Sequence, residues 1–390
     1  MLEDTSNRRS ERGDAVRIGQ GRSAPPPAGA WPISVFVHLA QNKDAETWRL
    51  ARERGQLVGI NDPTPYGYGR AEAMGCTVAF SRSHREGVFG KIARLGLRAL
   101  LGFDLVHALR QKHALIHADM VWTHTESQFL AVAAMLLLTG ANTRLLGQSV
   151  WLMDRWPRLG FLYRAFYRRL IDRVDILTFH SPQNLAVARE LFPHKAVYLV
   201  PYGIPSERRL EPRPRPPDPI RVVALGNDRD RDWPTLIAAV GSSPHISLLI
   251  LSGTVPAGLA RGHGNVQIRN ARTNAELIDS FDAATLVCVP LKPNLHASGI
   301  TAIEEAVLAG VPVVTTNTGG LTAYFDPDEV LFAPPGDAAA LRELLLAAAQ
   351  DPEGSCARAR RAQARMADGS LGAEAYIRKH VELTREALSR

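Results

Sequence analysis

Cysteine is scarce in this 390-residue sequence: Cys76, Cys288 and Cys356 lie far apart, with no CxxC pair. They build neither a disulfide framework nor a cysteine zinc site, and they fit a reducing compartment. Long hydrophobic runs are also missing. The longest, Phe129 to Leu138, falls well short of the roughly 20 residues a membrane helix needs. The first thirty residues lack the apolar stretch of a secretory signal, so a cytoplasmic protein is expected. Several signatures are absent too: GxGxxG after a strand, the Walker GxxxxGK[ST], HExxH and GxSxG. Their absence weakens dehydrogenase, ATPase, zinc-protease and serine-hydrolase readings. No zinc-finger, RNP-type or basic-zipper pattern accompanies the positive charge, so nucleic acid is not an expected partner.

What is present is the composition of a globular protein, 45% hydrophobic and 22% charged, in a chain long enough for two domains. The net charge of +7 is unevenly placed. Seven cations against two acids lie between Arg82 and Lys112, and six arginines against two aspartates between Asp154 and Arg173. Segment 90–110 sets Ile92, Leu95, Leu97, Leu100 and Leu101 among its cations, as an interfacial helix would. One reading is a solvated basic face; the other is docking through 82–112 and 154–173 on an anionic membrane surface.

Residues 1–30 are polar and charged and read as a disordered tail. From 31 to 205, strand-like runs at Ile33–Leu39, Met120–Thr123, Arg144–Gly147, Ile176–Phe179 and Val197–Val200 alternate with helical stretches. Residues 62–69 are dense in turn formers and read as a loop. Six prolines between 205 and 219 interrupt the pattern, which makes 206–219 the expected linker. The alternation restarts over 220–372, and 373–390 reads as a terminal helix able to pack back on the first domain. The expected fold class is α/β: two Rossmann-like doubly wound domains facing across a cleft, where ligands bind at the sheet ends.

Three segments carry chemistry. In HASGITAIEEAVLAGVPVV, from His296 to Val314, Ser298, Gly299, Ile300 and Thr301 open a helix whose N-terminus suits a diphosphate. Glu304 and Glu305 are about 100° apart on it, so only one is expected to face the cleft and accept hydroxyls of a ribose or sugar. The plainer alternative is a capped helix with an exposed Glu pair. Gly226 begins a loop containing Arg229 and Arg231, whose guanidinium forks suit phosphate oxygens; the alternative is that they pair with Asp228 and Asp230. That Asp pair is the nearest thing to a metal site, and the arginines would compete with a cation, so no metal is expected. In the first half, His124 and Glu126 follow one strand and Asp154 another. Each is a candidate catalytic group, and each could equally be a cap or turn residue.

The run EAVLAGVPV at 305–313, Thr318-Gly319-Gly320, and PPGD at 334–337 resemble the nucleotide-sugar-dependent glycosyltransferases of the GT-B fold, most of all the retaining family four, or glycosyl transferases group 1. The resemblance covers 220–350 and, more loosely, 31–205. It implies that Glu305 binds the donor ribose, that Arg229 and Arg231 neutralise the diphosphate in place of a Lys that is Asp232 here, and that Asn270 lies where the nucleobase is gripped. The first Glu of the family's E-x7-E motif falls at Ala297, a departure that touches the sugar identity and stereochemistry. The function it implies is transfer of a sugar from a nucleotide diphosphate sugar, with no further cofactor, to a lipid-linked or polysaccharide acceptor. The alternatives are a GT-B nucleotide-sugar epimerase or hydrolase, and an inactive binding protein.

Overall fold

The computed structural model describes residues 32–390, and the tail expected over 1–30 lies outside the described residues. Six strands form the first sheet: β1 (Ile33–His38), β2 (Cys76–Phe80), β3 (Met120–Thr123), β4 (Arg144–Ser149), β5 (Ile176–Phe179) and β6 (Ala196–Leu199). Six more form the second: β7 (Ile220–Leu225), β8 (Ile246–Leu251), β9 (Val266–Arg269), β10 (Leu286–Val289), β11 (Val313–Thr316) and β12 (Leu331–Ala333). The spatial orders are β2-β1-β3-β4-β5-β6 and β12-β11-β10-β7-β8-β9. All pairings within the two sheets are parallel. In each sheet the chain reverses its direction of progress once, between β1 and β3 and between β7 and β10. The loops beyond those strand ends are where an open α/β sheet binds ligands.

Central strands of such sheets are covered on both faces, and β3 and β10 are buried at every residue. The longest apolar run has the same explanation. It lies in helix Glu126–Thr139, buried nearly all round and started by a capping box between Thr125 and Gln128. Two strands escaped the sequence pattern. β2 lies at an edge, with only Cys76 fully buried, and β12 has just three residues. Part of the turn-rich 62–69 segment belongs to 3-10 turns over Pro65–Met74.

The Pro-rich stretch has no regular structure but is anchored on the second domain. Leu210 N donates to Leu308 O (2.8 Å), and the buried Arg215 donates to Phe281 O (3.1 Å) and Ala284 O (2.9 Å). Helix Ala373–Leu388 returns to the first domain. Its Tyr376 hydroxyl meets those of Tyr68 (2.9 Å) and the Gln148 side chain (2.5 Å), and Trp122 Nε1 donates to Thr384 Oγ1 (2.9 Å). The stretch 82–112 is not a single solvated basic face. Arg94 is buried, paired with Glu86 (2.9 Å) and Asp104 (2.5 Å), so one of its cations is spent inside the domain.

Candidate active site

Loops at the carboxyl ends of the two sheets meet. Tyr324 beyond β11 gives its hydroxyl proton to His180 O beyond β5 (2.8 Å) and accepts from Tyr202 N beyond β6 (3.0 Å). Asp154, beyond β4, accepts from Leu295 N (2.7 Å) and from His296 Nδ1 (2.9 Å), both beyond β10. Gly59 N donates to Asn274 Oδ1 (2.7 Å), and Ile60 N to Glu305 Oε1 (3.0 Å). The cleft between the domains therefore has one wall from each sheet.

On the second-domain wall, the β7–β10 crossing sets a buried arginine at the start of a helix. Arg231 Nε donates to Leu225 O (3.1 Å) and Nη1 to Ser298 Oγ (3.1 Å). Gly226 (φ +134°) and Gly299 (φ +85°) make room for it. A Cβ on Gly226 would overlap the guanidinium, and one on Gly299 would press on Val289 and on Arg231 Nη1. Burial lowers the Arg231 pKa to about 10 against the pull of Asp228 and Asp230, which leaves it charged at neutral pH. Gly299 is the N-cap of helix Ile300–Leu308 and offers no side-chain cap. Ile300 is buried there and Thr301 exposed. Guanidinium and helix N-terminus thus meet at one spot, with Asp228 beside them accepting from Ser298 Oγ (3.1 Å). Arg229 and Lys292 are exposed at the rim, with Lys292 Nζ reaching Arg229 O (3.4 Å). Asp232, at the family's lysine position, caps helix Trp233–Val240 through Thr235 N (3.3 Å). Asn270 is exposed beside Gly253, beyond β9.

Both glutamates of the 300–308 helix are buried, so neither belongs to an exposed pair. Glu305 points at the Gly59–Ile60 loop, and burial raises its pKa to about 7 against the Ile60 N–H. Gly59 has φ +111°, and a Cβ there would collide with the Glu305 carboxylate. Glu304 is fully buried, its two oxygens without partners, and burial pushes its pKa well above the carboxylate range.

Sequence reasoning passed over His296, the neighbour of Ala297. It is 2% exposed and spans the cleft, with Nδ1 on Asp154 and Nε2 facing Asp230 Oδ2 (3.4 Å) and Asp228 Oδ2 (3.7 Å). Burial would lower its pKa, but Asp154 and Asp228 outweigh it and raise the value to about 9. Asp228 is held well below its usual value: burial opposes this, while His296, the Asp230 N–H and Arg231 favour the carboxylate. Asp228, Asp230 and His296 could also hold a metal ion, each offering an atom within 4.8 Å of the others. The signal that could have found His296 was an aromatic base two residues before a helix-opening Ser-Gly.

The first-domain candidates separate. His124 is within reach of Tyr68 Oη (3.1 Å) and Gln148 Nε2 (3.3 Å) and stacks on Tyr66 at 3.6 Å between ring centroids. Burial keeps it well below its ordinary pKa, so it is a neutral imidazole. Glu126 matches the bracing alternative given for it in the sequence. Its buried Oε2 accepts from Val150 N (3.1 Å) and Trp151 N (3.3 Å), so it braces the loop that carries Asp154. Asp154 has both oxygens engaged across the cleft, which makes it a bridge between domains.

Residues 260–366 match the family described as glycosyl transferases group 1. Over that segment the chain is similar to the group 1 glycosyl transferases. The two-sheet architecture around that segment is the GT-B fold expected from 305–313. Sucrose-phosphate synthase from Thermosynechococcus elongatus is 19% identical, with a TM-score of 0.69, and the match covers 92% of this chain and 99% of that one. Anabaena HepE, solved with UDP and glucose, is 14% identical (TM-score 0.63; 91% and 100% covered). The UDP-forming α,α-trehalose-phosphate synthase from Burkholderia xenovorans, in complex with glucose-6-phosphate, is 12% identical (TM-score 0.58; 82% and 81% covered). At these identities the structural likeness is one of fold. A search of curated proteins finds no match.

Proposed function

We propose that this group 1 glycosyl transferase moves a sugar from a nucleotide diphosphate sugar to a lipid-linked or polysaccharide acceptor in cell-surface or exopolysaccharide synthesis. One observation carries the donor half. Arg231, the open N-terminus of helix Ile300–Leu308, and Glu305 all lie on one wall, at the topological switch of the second sheet. The first two complement a diphosphate, and the third, six residues past the cap, accepts from hydroxyls. UDP, bound in the HepE structure and formed by the trehalose-phosphate synthase, is the first nucleotide to try.

The acceptor half rests on the other wall, where Trp48, Tyr66, His124 and Tyr202 form a chain of ring contacts. A neutral aromatic wall suits an uncharged sugar ring better than a sugar phosphate such as the glucose-6-phosphate in complex with the trehalose-phosphate synthase. Arg70, four residues after Tyr66, is already paired with Asp62 and Glu207. Positive charge for the departing nucleoside diphosphate comes from Arg231, Arg229 and Lys292, so catalysis needs no metal. The proton on His296 satisfies the carboxylates that would otherwise draw one. Membrane extract mixed with UDP-sugars should give acceptor-dependent release of UDP, and Arg231→Lys should lower the rate roughly ten- to a hundredfold, the size of one misplaced charged hydrogen bond. Release at the full rate without acceptor would instead identify a hydrolase, and an isomerised UDP-sugar with no net release of UDP an epimerase.

A further inference from the structure

The helix Val88–Leu101 is turned inside out. Residues 88, 92, 95 and 99 follow at the spacing of one helical face, and that face is Val, Ile, Leu and Ala pointing into solvent. The opposite side, with Arg94, Leu97 and Leu101, packs inward. Phe89 is 89% exposed beside the stripe. Helix Phe161–Asp172 lies against it through Tyr163 Oη on Leu100 O (2.6 Å) and Tyr167 Oη on Leu101 O (2.8 Å). That second helix adds Phe161, 79% exposed, and Leu162. An aromatic and aliphatic surface of this kind, continuous over two helices, marks an interaction site.

Its surroundings identify the occupant. The charges from Gly87 to Phe103 are Lys91, Arg94 and Arg98; those from Arg155 to Ile171 are five arginines. Within these bounds neither segment holds a carboxylate: Glu86 and Asp104 are committed to the buried Arg94, Asp154 to His296 and Leu295 N, and the exposed Asp172 lies at the opposite end of its helix from Phe161. A second copy docking by the same face would set cations against cations, since a two-fold interface meets itself. An anionic bilayer offers what both parts need: hydrocarbon for the rings and phosphate for the rim. We infer that helices Val88–Leu101 and Phe161–Asp172 form one membrane-docking face that inserts Phe89 and Phe161 into anionic lipid. Phe161 follows the cleft residue Asp154 by seven positions, so docking sets the acceptor wall close to the lipid surface. The docking stands on the surface itself; that it presents an acceptor rests on the transferase reading.

The full chain should float with phosphatidylcholine vesicles that contain phosphatidylglycerol and much less with phosphatidylcholine alone. Phe89→Ser/Phe161→Ser should lower the partition coefficient at least tenfold with an unchanged melting temperature and unchanged UDP binding. Flotation needs no donor, so its outcome is independent of whether UDP binds. The inference is overturned if the double variant floats like the wild type, if the wild type ignores anionic vesicles, or if light scattering shows a dimer that the double variant splits.

Discussion

His296 holds a proton among three carboxylates, and this gives the cleft a pH signature. Its folded pKa of about 9 lies above the 6.5 of an unfolded histidine. A raised pKa contributes stability fully below pH 6.5 and loses it as pH climbs through 9, an effect of at most about 3 kcal/mol. The melting temperature of the wild type should therefore fall more steeply between pH 6.5 and 9.5 than that of His296→Gln, which starts lower. Equal slopes would show that His296 is not charged in the folded protein. Glu305, whose pKa is raised, removes stability as pH climbs from about 4.5 to 7 and adds a constant cost above that, in both proteins alike. On the metal-independent reading proposed above, the proton on His296 takes the place of a cation in the Asp228–Asp230–His296 trio. EDTA should leave UDP release unchanged, and a fall restored by added Mn²⁺ would contradict this. Little of this was legible beforehand. His296 is defined by Asp154, Asp228 and Asp230, two loops and one domain away from it in sequence, and no local pattern announces such a meeting. Glu305 and Arg231 were legible because a helix start and a strand end leave local marks.

At the scale of elements, two glycines decide whether the diphosphate wall exists. Gly226 and Gly299 combine positive φ with close approach to Arg231, so Gly226→Ala meets both backbone strain and the guanidinium. The strain alone is worth about 1–3 kcal/mol. Displacing Arg231 should weaken UDP binding tenfold or more, measured by calorimetry; wild-type affinity in Gly226→Ala would remove Arg231 from the donor site. Strands such as Met120–Thr123 and Leu286–Val289 could be read directly, because a central parallel strand is an unbroken apolar run. β2 could not, since an edge strand needs only part of one face buried, and CTVAF carries no more pattern than a loop. Helix Val88–Leu101 misleads for a related reason: amphipathicity announces a helix but does not say which face points inward.

The whole molecule is a clamp with two return crossings, the 200–219 segment and the C-terminal helix. Deleting 373–390 removes Tyr376 from Tyr68 and Gln148 and Thr384 from Trp122, leaving the first sheet with an open core. The truncated chain should lose most of its soluble, folded fraction, read by circular dichroism, and an unchanged melt would make the helix an accessory. The two-domain plan was visible in the sequence because the Pro-rich break separates two runs of strand–helix alternation. How the halves close on each other was not, since it depends on Ile60 meeting Glu305 across 245 residues. That contact takes up Oε1 of Glu305 and leaves Oε2 for a ribose hydroxyl. The most direct test of the account is calorimetric titration of UDP, GDP, ADP and dTDP into the wild type and Glu305→Ala. The account predicts that one nucleotide binds the wild type and that Glu305→Ala weakens it roughly ten- to a hundredfold, the size of a lost hydrogen bond to a charged group. Binding of none of the four, or equal affinity in the variant, would contradict the assignment of this cleft as the donor site.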